Sequence, residues 1–599
     1  MSYLPIADHG VIGNLHTAAL VGVDGTIDWL CLPAFDSPAV FCYILDDEKG
    51  GRFRLRPLEY ERSQQLYLPD SNVLLTRFFS SGGMAEVIDF MPILSQPGDR
   101  SRLVRGARVV RGSMRFEVEC RPAFDYARGQ HRVSVGKKGA VFAAASATHA
   151  SLSLSTAVAL EGWGGGGAGA EFTLGEGERA TFVLSEVEDG EGPRTPFTRR
   201  EFEEGLQDTL GYWRRWISGS TYSGRWREFV HRSALVLKLM VYDPTGALVA
   251  APTMGLPERI GGERNWDYRY AWLRDAAFTL YALISIGFDY EAYRFMGWLR
   301  DRCALDEDGL LQPLYGIDGR TRIVEEELDH LSGYMGSKPV RLGNAAYGQL
   351  QLDLYGAILD AAYLYNKHGA PLDYDLWQNL RRILDWLCDN WQLEDEGIWE
   401  VRGGRRHFVS SKVMSWVALE RAVRISRQRG LPAGEGRWIS ERDKIYEEVM
   451  EKGWNPQKGS FVQYYGSDAL DASLLLMPLV KFVGPTDPRW ISTLDHIQNE
   501  LTYDTLVDRY KTDTAAPDGL VGDEGSFSLC SFWLVECLTK AGRIEEARLA
   551  FEKMLSYANH LGLYAEEIGP SGEALGNFPQ ALTHLSLISA AVHLDRALG

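Results

Sequence analysis

The hydrophobic pattern of this chain changes abruptly near residue 199. Before that point, short runs of alternating apolar and polar residues are separated by Gly, Asp and Pro, a pattern typical of β-strands. Beyond it, long segments have the periodicity of amphipathic helices. The chain has 599 residues, more than the ~100–200 residues of an average domain. We therefore expect two folded units of different class.

The first 198 residues predict an antiparallel β-sandwich. Met114, Phe116, Val118 and Cys120 alternate with charged residues, as on a strand with one buried face. The segment 23–26 contains an Asp-Gly pair, which supplies the positive φ angles of a tight two-residue hairpin loop. Many short strands without interleaved helices favour a sandwich.

The remainder of the chain predicts a helical linker over residues 199–224 and a helical domain over residues 225–599. Twelve segments are helix-like, near residues 227–242, 269–286, 290–303, 344–367, 374–390, 407–428, 439–453, 467–481, 488–501, 526–540, 543–557 and 579–597. Twelve helices in six hairpins indicate a closed (α/α)6 barrel, in which six outer helices surround six inner ones. A helical solenoid could also contain twelve helices, but no sequence period of 20–50 residues supports it.

Charge and motifs exclude several classes of partner. The net charge of −18 argues against nucleic acid or an anionic membrane, because both need a basic surface. Seven widely spaced cysteines without a CxxC pair indicate neither a zinc site nor a disulfide framework. No HExxH or Asp-rich loop predicts a metal, and no signal peptide or membrane span is visible. We expect a cytoplasmic protein that binds a neutral small molecule and needs no cofactor. The sequence leaves open whether the protein forms a homo-oligomer.

A first chemical cluster lies at residues 264–275, immediately before an apolar helix. It contains three Arg, two Asp and four aromatic residues. Arg274 and Asp275 together offer the donors and acceptors that bind a vicinal diol, and Trp272 offers an apolar face for a sugar ring. The structural alternative is an Arg–Asp pair at a helix N-terminus.

Two further clusters contain candidate catalytic carboxylates. Glu400 lies between Trp399 and Val401, in the partly apolar surroundings that favour a general acid. Glu566 and Glu567 precede the last helix, where either could activate water as a base. An acid and a separate base are what an inverting glycosidase requires. The alternative for Glu400 is a solvated loop residue paired with Arg402, and the alternative for Glu566 and Glu567 is an ordinary acidic loop.

Together these clusters resemble glycoside hydrolase family fifteen, the family of glucoamylases and bacterial trehalases. The segments that carry the resemblance are, in chain order, 8–14, 28–31, 35–38, 265–275, 330–344, 397–404 and 576–580. Their combination in this order is specific, and the resemblance covers essentially the whole chain. It implies an N-terminal super-sandwich, an (α/α)6 catalytic barrel and exo-acting hydrolysis of α-glucosides with inversion.

The resemblance also implies roles for individual residues. Glu400 matches the general acid of the family and Glu566 its general base. Residues that match those holding the non-reducing-end glucose are Tyr268, Trp272, Arg274 and Asp275. Further candidates for substrate binding, in or beside similar loops, are Trp399, Arg341, Glu524, Glu567, Asn577 and Gln580.

Three positions depart from the family pattern. Val401 stands where fungal glucoamylases have a second Glu, and Gly397 where they have Asp, so a fungal-type preference for starch is not implied. Ala34 stands where relatives often have Arg or His, and its loop would change substrate contacts if it reached the site. Trehalose is the first expected substrate and maltooligosaccharides the second. The alternatives are an (α/α)6 disaccharide phosphorylase and a catalytically silent sugar-binding protein.

Overall fold

The computed structural model describes residues 3–94, 99–145, 150–188, 190–303, 309–368, 370–512, 515 and 517–599. Over these residues, a large antiparallel sheet precedes a helical part. This arrangement confirms the predicted order of a β-domain followed by a helical domain. The exact limits at residues 198 and 224 stay predictions.

Fifteen strands form the sheet within the described residues. They are β1 His9–Gly13, β2 Ala18–Gly22, β3 Thr26–Cys31, β4 Ala39–Phe41, β5 Arg52–Pro57, β6 Arg62–Tyr67, β7 Leu74–Ser80, β8 Gly83–Phe90, β9 Arg102–Arg121, β10 His131–Gly136, β11 Gly139–Ala144, β12 Ser151–Thr156, β13 Glu161–Trp163, β14 Gly167–Gly175 and β15 Arg179–Val187. Every pairing between them is antiparallel.

The long strand β9 holds the two halves of the sheet together. Its first half pairs with β8 and β15, and its second half pairs with β5 and β14. The predicted alternation from Met114 to Cys120 lies in this second half, and its four apolar side chains are buried. The period of two therefore identified one face of a central strand.

The predicted two-residue hairpin loop is wrong in its length. Residues 23–25 connect β2 to β3, and the Gly25 N–H donates to the Gly22 carbonyl at 2.9 Å. Gly25 has a φ of +80°, whereas Asp24 accepts the Thr26 N–H at 2.9 Å. Asp24 thus stabilises the turn through its side chain, since Asp and Asn commonly accept a backbone N–H two residues on.

Helix α1, Arg199–Ile217, follows the sheet and begins with a capping box formed by Thr198 and Glu201. Twelve more helices follow in the described part of the chain. They are α2 Arg227–Leu239, α3 Leu273–Ser285, α4 Asp289–Cys303, α5 Asp353–His368, α6 Tyr374–Asn390, α7 Val409–Arg429, α8 Glu435–Lys452, α9 Leu476–Leu479, α10 Pro488–Glu500, α11 Ser528–Lys540, α12 Ile544–Leu555 and α13 Ala581–Leu598. None of the helices described combines the length and apolarity of a membrane span.

Six helical elements form a closed inner ring. Helix α3 packs on α5, α5 on α7, α11 on α13, and α13 packs back on α3. Short α9, with the 3-10 turn Ala472–Leu475 before it, fills the place between α7 and α11. Outer helices pack against this ring, as α8 does on α7 and α12 on α11. The predicted (α/α)6 barrel is confirmed.

Two predicted helices are wrong over part of their length. The helix predicted from residue 344 begins at Asp353, because Asn344 caps a separate 3-10 turn at Ala345–Gly348. The helix predicted over 467–481 is helical only from Ala472 to Leu479. Pro478 lacks the N–H that a longer helix would use.

Short strands explain why other inner helices begin later than predicted. Ala271–Trp272 pairs with Leu314–Tyr315, and α3 starts only after it. Ser526–Phe527 pairs with Glu567–Ile568 before α11 starts. The other short strands are Val241–Tyr242, Ala247–Leu248, Met254–Pro257, Asn265–Asp267, Glu326–Glu327, Arg341–Leu342, Trp454–Asn455, Ser460–Phe461, Thr502–Tyr503, Leu506–Val507 and Ala574–Leu575.

Candidate active site

A cavity opens at the end of the barrel where the inner helices begin. Its empty space, counted together with its open mouth, is about 820 Å³. Eight of the predicted site residues line it: Tyr268, Trp272, Arg274, Asp275, Trp399, Glu400, Glu566 and Gln580. Segments that are distant in sequence therefore meet in one cavity.

Glu400 occupies a tight turn in the wall of the cavity. Its N–H donates to the Gly397 carbonyl at 3.1 Å, and its φ of +58° is left-handed. This conformation costs a non-glycine residue about 1–2 kcal/mol. Its carboxylate accepts the Trp272 indole N–H at 2.8 Å and lies 3.5 Å from the Arg274 guanidinium. The turn and the two donors together fix where the carboxylate points.

Arg274 and Asp275 form a buried pair in the first turn of α3. The Arg274 Nε donates to Asp275 Oδ1 at 3.0 Å, and its Nη1 donates to the Ile398 carbonyl at 2.6 Å. Arg274 therefore connects the start of α3 to the turn that carries Glu400. Burial raises the pKa of Asp275 to about 6, although Arg274 opposes the shift.

Glu566 lies in the wall of the same cavity and is buried, with 1% of its surface exposed. Its Oε2 accepts the Asn577 N–H at 3.3 Å, and the Tyr268 hydroxyl also donates to its carboxylate. A Cβ at Gly576, where φ is +74°, would lie 2.5 Å from the same oxygen. Burial and the neighbouring Glu258 charge raise the pKa of Glu566 to about 8.

Arg509 lies among three further buried carboxylates. Its Nη2 is 3.1 Å from Glu258, 2.6 Å from Glu524 and 3.6 Å from Glu567. Ligand atoms of these carboxylates lie within 4.8 Å of one another, and the guanidinium supplies the positive charge that such a group needs. Burial raises the pKa of Glu258 to about 7 against the effect of Arg509. Arg509 itself lines the cavity.

Four predicted site residues lie behind the cavity wall and contact the residues that form it. Glu524 and Glu567 are paired with Arg509. Asn577 donates to the Trp266 carbonyl at 2.9 Å, in addition to its backbone contact with Glu566. Arg341 stacks on the Trp266 ring, with its guanidinium carbon 4.7 Å from the ring centroid. None of the four belongs to the described cavity lining.

The N-terminal loop around Ala34 packs behind the site. Asp36 pairs with Arg320 at 2.7 Å, and Arg320 lies over the Tyr270 ring. Arg269 donates to the Ser37 carbonyl at 2.9 Å. The described cavity lining contains no residue of this loop, so the β-domain supports the segment that carries Tyr268 and Trp272 without entering the cavity.

The predicted site residues do not include Glu258, Arg509, Arg402 or Asp518, of which the last three line the cavity. Arg402 lies within the 397–404 segment, two residues after Glu400, whereas the other three lie outside the segments that carry the resemblance. The Arg-Tyr pair at 509–510 was the available signal, because both side chains line the cavity. These residues become recognisable only when the barrel brings their loops together.

A family model described as Glycosyl hydrolases family 15 matches residues 224–592, more than half of the chain. The chain belongs to glycosyl hydrolase family 15. A second model, described as Trehalase-like, N-terminal, matches residues 2–158 of this family 15 hydrolase. The family resemblance expected from the sequence is confirmed, and the protein is a glycoside hydrolase.

Curated relatives cover nearly the whole family 15 hydrolase. A trehalase from Thermoplasma acidophilum is 40% identical over 595 residues, covering 96% of this chain and 98% of the relative. A trehalase from Mycobacterium tuberculosis is 41% identical over 620 residues, covering 99% of this chain and 90% of the relative.

A solved structure matches both parts of the family 15 hydrolase. A bacterial glucoamylase complexed with acarbose superposes with a TM-score of 0.72 at 13% identity, covering 99% of this chain and 95% of the other. At this identity the match concerns the fold, and it extends over the sheet as well as the barrel.

Proposed function

We propose that this family 15 hydrolase cleaves α,α-trehalose into two glucose molecules and inverts one anomeric carbon. The observation that carries the proposal is that Glu400 and Glu566, from distant segments, line the same cavity. An inverting glycosidase needs one carboxyl group to protonate the leaving oxygen and another to activate water on the opposite face of the sugar.

Glu400 acts as the general acid. It protonates the glycosidic oxygen and becomes a carboxylate as the bond breaks. The Trp272 indole donates to that carboxylate at 2.8 Å, and Arg274 lies 3.5 Å away. Donors already in place stabilise developing charge without reorganisation during the reaction.

Glu566 acts as the general base and removes a proton from the attacking water. Its buried carboxylate is oriented by the Asn577 N–H and by Tyr268. Burial together with the Glu566 and Glu258 charges raises the pKa of Tyr268 well above its ordinary value, so the phenol remains a hydrogen-bond donor. Arg509 limits the negative charge that accumulates behind the base.

The non-reducing-end glucose is held by Arg274, Asp275 and the neighbouring aromatic rings. Arg274 and Asp275 provide donors and acceptors at the start of α3, and the rings of Tyr268 and Trp272 pack edge to face, 5.3 Å apart. Arg341, Glu524, Glu567 and Asn577 support these side chains from behind.

Trehalose is proposed as the substrate because full-length relatives at 40% and 41% identity are trehalases. Val401, where fungal glucoamylases have a second Glu, also favours a substrate other than starch. Maltooligosaccharides are the second choice.

The test is the hydrolysis of trehalose by the wild type and by the variants Glu400→Gln and Glu566→Gln. Each variant is expected to lose ~100- to 10,000-fold in kcat, since a general acid or base contributes ~10²–10⁴-fold. Glu573→Gln is a matched control, because Glu573 is exposed in the same loop as Glu566. Undiminished activity of either variant removes that residue from the mechanism.

The same assay separates the alternative functions. If glucose 1-phosphate is released, and only when phosphate is present, the protein is a phosphorylase. If trehalose binds but is not cleaved, the protein is a catalytically silent sugar-binding protein.

A further inference from the structure

Arg402 lies two residues beyond the proposed acid and lines the same cavity. Its guanidinium lies over the Trp266 ring, 4.3 Å from the centroid. Nη1 and Nη2 donate to the two carboxylate oxygens of Glu325 at 2.9 and 2.6 Å. A bidentate pair of this kind fixes both the position and the plane of the guanidinium.

Two loops meet at Arg402. Its backbone N–H donates to the Asp518 carbonyl at 2.7 Å. The Asp518 carboxylate accepts from Arg264 at 2.6 Å and from the Tyr510 hydroxyl at 3.1 Å. Glu325, from a separate loop, binds the Arg402 side chain. Arg402 thus joins the loops that carry Glu325 and Asp518.

The end at which Arg402 lies is the exposed end. The Arg402 side chain is 27% exposed and that of Glu400 is 19% exposed, whereas Glu566 and Trp272 are buried. The acid therefore lies nearer the solvent than the base does. A general acid donates to the oxygen that leaves, so the leaving sugar lies on the acid's side, beside Arg402.

The contacts of Arg402 leave it able to bind a sugar. Glu325 occupies two of the five N–H groups of the guanidinium. The remaining N–H donors of Arg402, which lines the cavity, match the hydroxyl groups of a pyranose. Because Glu325 and Trp266 fix the guanidinium, it also acts as a rigid wall.

We propose that Arg402, held on Trp266 by Glu325, binds the leaving glucose and ends the cavity there, so that the enzyme accepts a disaccharide and excludes longer α-glucan chains. This inference rests on the proposed function and names the residue that limits substrate length. Arg402 is a specificity residue in this scheme and takes no part in proton transfer.

The experiment compares kcat/KM for trehalose, maltotriose and α-glucosyl fluoride. The fluoride has no leaving sugar, so it reports only the catalytic pair and the first glucose site. The variants are Arg402→Ala and Glu325→Gln. The control is Arg405→Ala, which removes another Arg–Glu pair of the same loop, Arg405 with Glu396 at 2.9 Å, away from the described cavity lining.

The wild type is expected to prefer trehalose over maltotriose by at least ~100-fold. Arg402→Ala is expected to lose at least ~10-fold on trehalose, to stay within ~2-fold on the fluoride and to raise the maltotriose-to-trehalose ratio at least ~10-fold. Glu325→Gln keeps the guanidinium but loosens it, so the same ratio rises by a smaller factor. Arg405→Ala is expected to leave all three values unchanged.

Three results would overturn the inference. They are a wild type that cleaves maltotriose as fast as trehalose, an unchanged ratio in both variants, and an equal loss on trehalose and the fluoride. Glu325→Gln keeps the test decisive if Arg402→Ala fails to fold. A wild type inactive on the fluoride and on both sugars contradicts the proposed function itself, whereas activity on the fluoride with no discrimination between the sugars contradicts only the length limit.

Discussion

The indole nitrogen of Trp272 donates to the carboxylate of Glu400 at 2.8 Å. Trp272 lies in a short strand that pairs with Leu314–Tyr315 directly before α3, and Glu400 lies in a strained turn between α6 and α7. This single bond therefore couples the position of the proposed acid to the start of the helix that carries Arg274 and Asp275.

Replacing Trp272 by Phe is expected to lower kcat for trehalose by about 10- to 100-fold. A hydrogen bond to a charged group contributes about 1.5–3 kcal/mol, and each 1.36 kcal/mol on the barrier is tenfold in rate. Trp391→Phe is a matched control, because the Trp391 indole donates to Glu441 at 3.0 Å outside the cavity. Equal kcat in Trp272→Phe and the wild type would show that the bond does not assist the acid.

Alanine at Gly576 is expected to reduce kcat by ~100-fold or more, since displacing a catalytic group by about 1 Å has that effect. The new Cβ would lie 2.5 Å from Glu566 Oε2. Gly572→Ala is the control. It also has a positive φ, +82°, but its Cβ would meet only Tyr557, at 3.9 Å. Both variants place a side chain at a left-handed position, so the midpoint temperature of thermal unfolding should fall in both. The value of kcat should fall in Gly576→Ala alone. Similar kcat losses in the two would point to strain as the cause.

The acidic limb of the pH profile is expected to report Glu566. Burial and the Glu258 charge raise its pKa to about 8, and a base must be ionised to act. The value of kcat/KM should therefore fall as the pH drops below about 8. Removing the Glu258 charge lowers the pKa of Glu566, so Glu258→Gln should move this limb to lower pH by roughly one unit. A limb that stays in place would show that Glu258 does not influence the base.

Arg509→Met is expected to destabilise the fold by about 3–5 kcal/mol, as removal of one partner from a buried ion pair does. Burial already raises the pKa of Glu258 and of Glu567, and without the guanidinium both carboxyl groups favour the protonated form more strongly, so the loss should be larger at pH 8 than at pH 5. Urea unfolding at both pH values measures it. Arg548→Met, which breaks an exposed pair with Glu552, should leave stability unchanged at both.

The sequence allowed the overall architecture to be predicted because its two periodicities differ. The alternation in β9 and the apolar stripes of the inner helices are local patterns, and both identified their elements. Helix starts were less accurate at the site. Residues such as Trp272 and Phe527 continue a helical apolar pattern, yet they form strands, because their pairing partners at 314–315 and 567–568 are distant in sequence.

The candidate site was predictable where its chemistry is dense in the sequence. Glu400 and Glu566 stand beside motifs that resemble those of the family, and both line the cavity. Arg509 and Glu258 could not be found in this way, because their meeting depends on the closure of the barrel. Neighbours in sequence also differ in position: Glu566 lines the cavity, whereas Glu567 lies outside the described lining and 3.6 Å from Arg509.

The most direct test of the catalytic pair is proton NMR of the first glucose released from α,α-trehalose, recorded before the anomers equilibrate. Inversion by Glu400 and Glu566 converts one ring to β-glucose and releases the other as α-glucose. The expected spectrum therefore shows the two anomers in equal initial amounts. Release of α-glucose alone would mean that both anomeric carbons of trehalose keep their configuration. That result would contradict the assignment of these residues as an inverting acid–base pair.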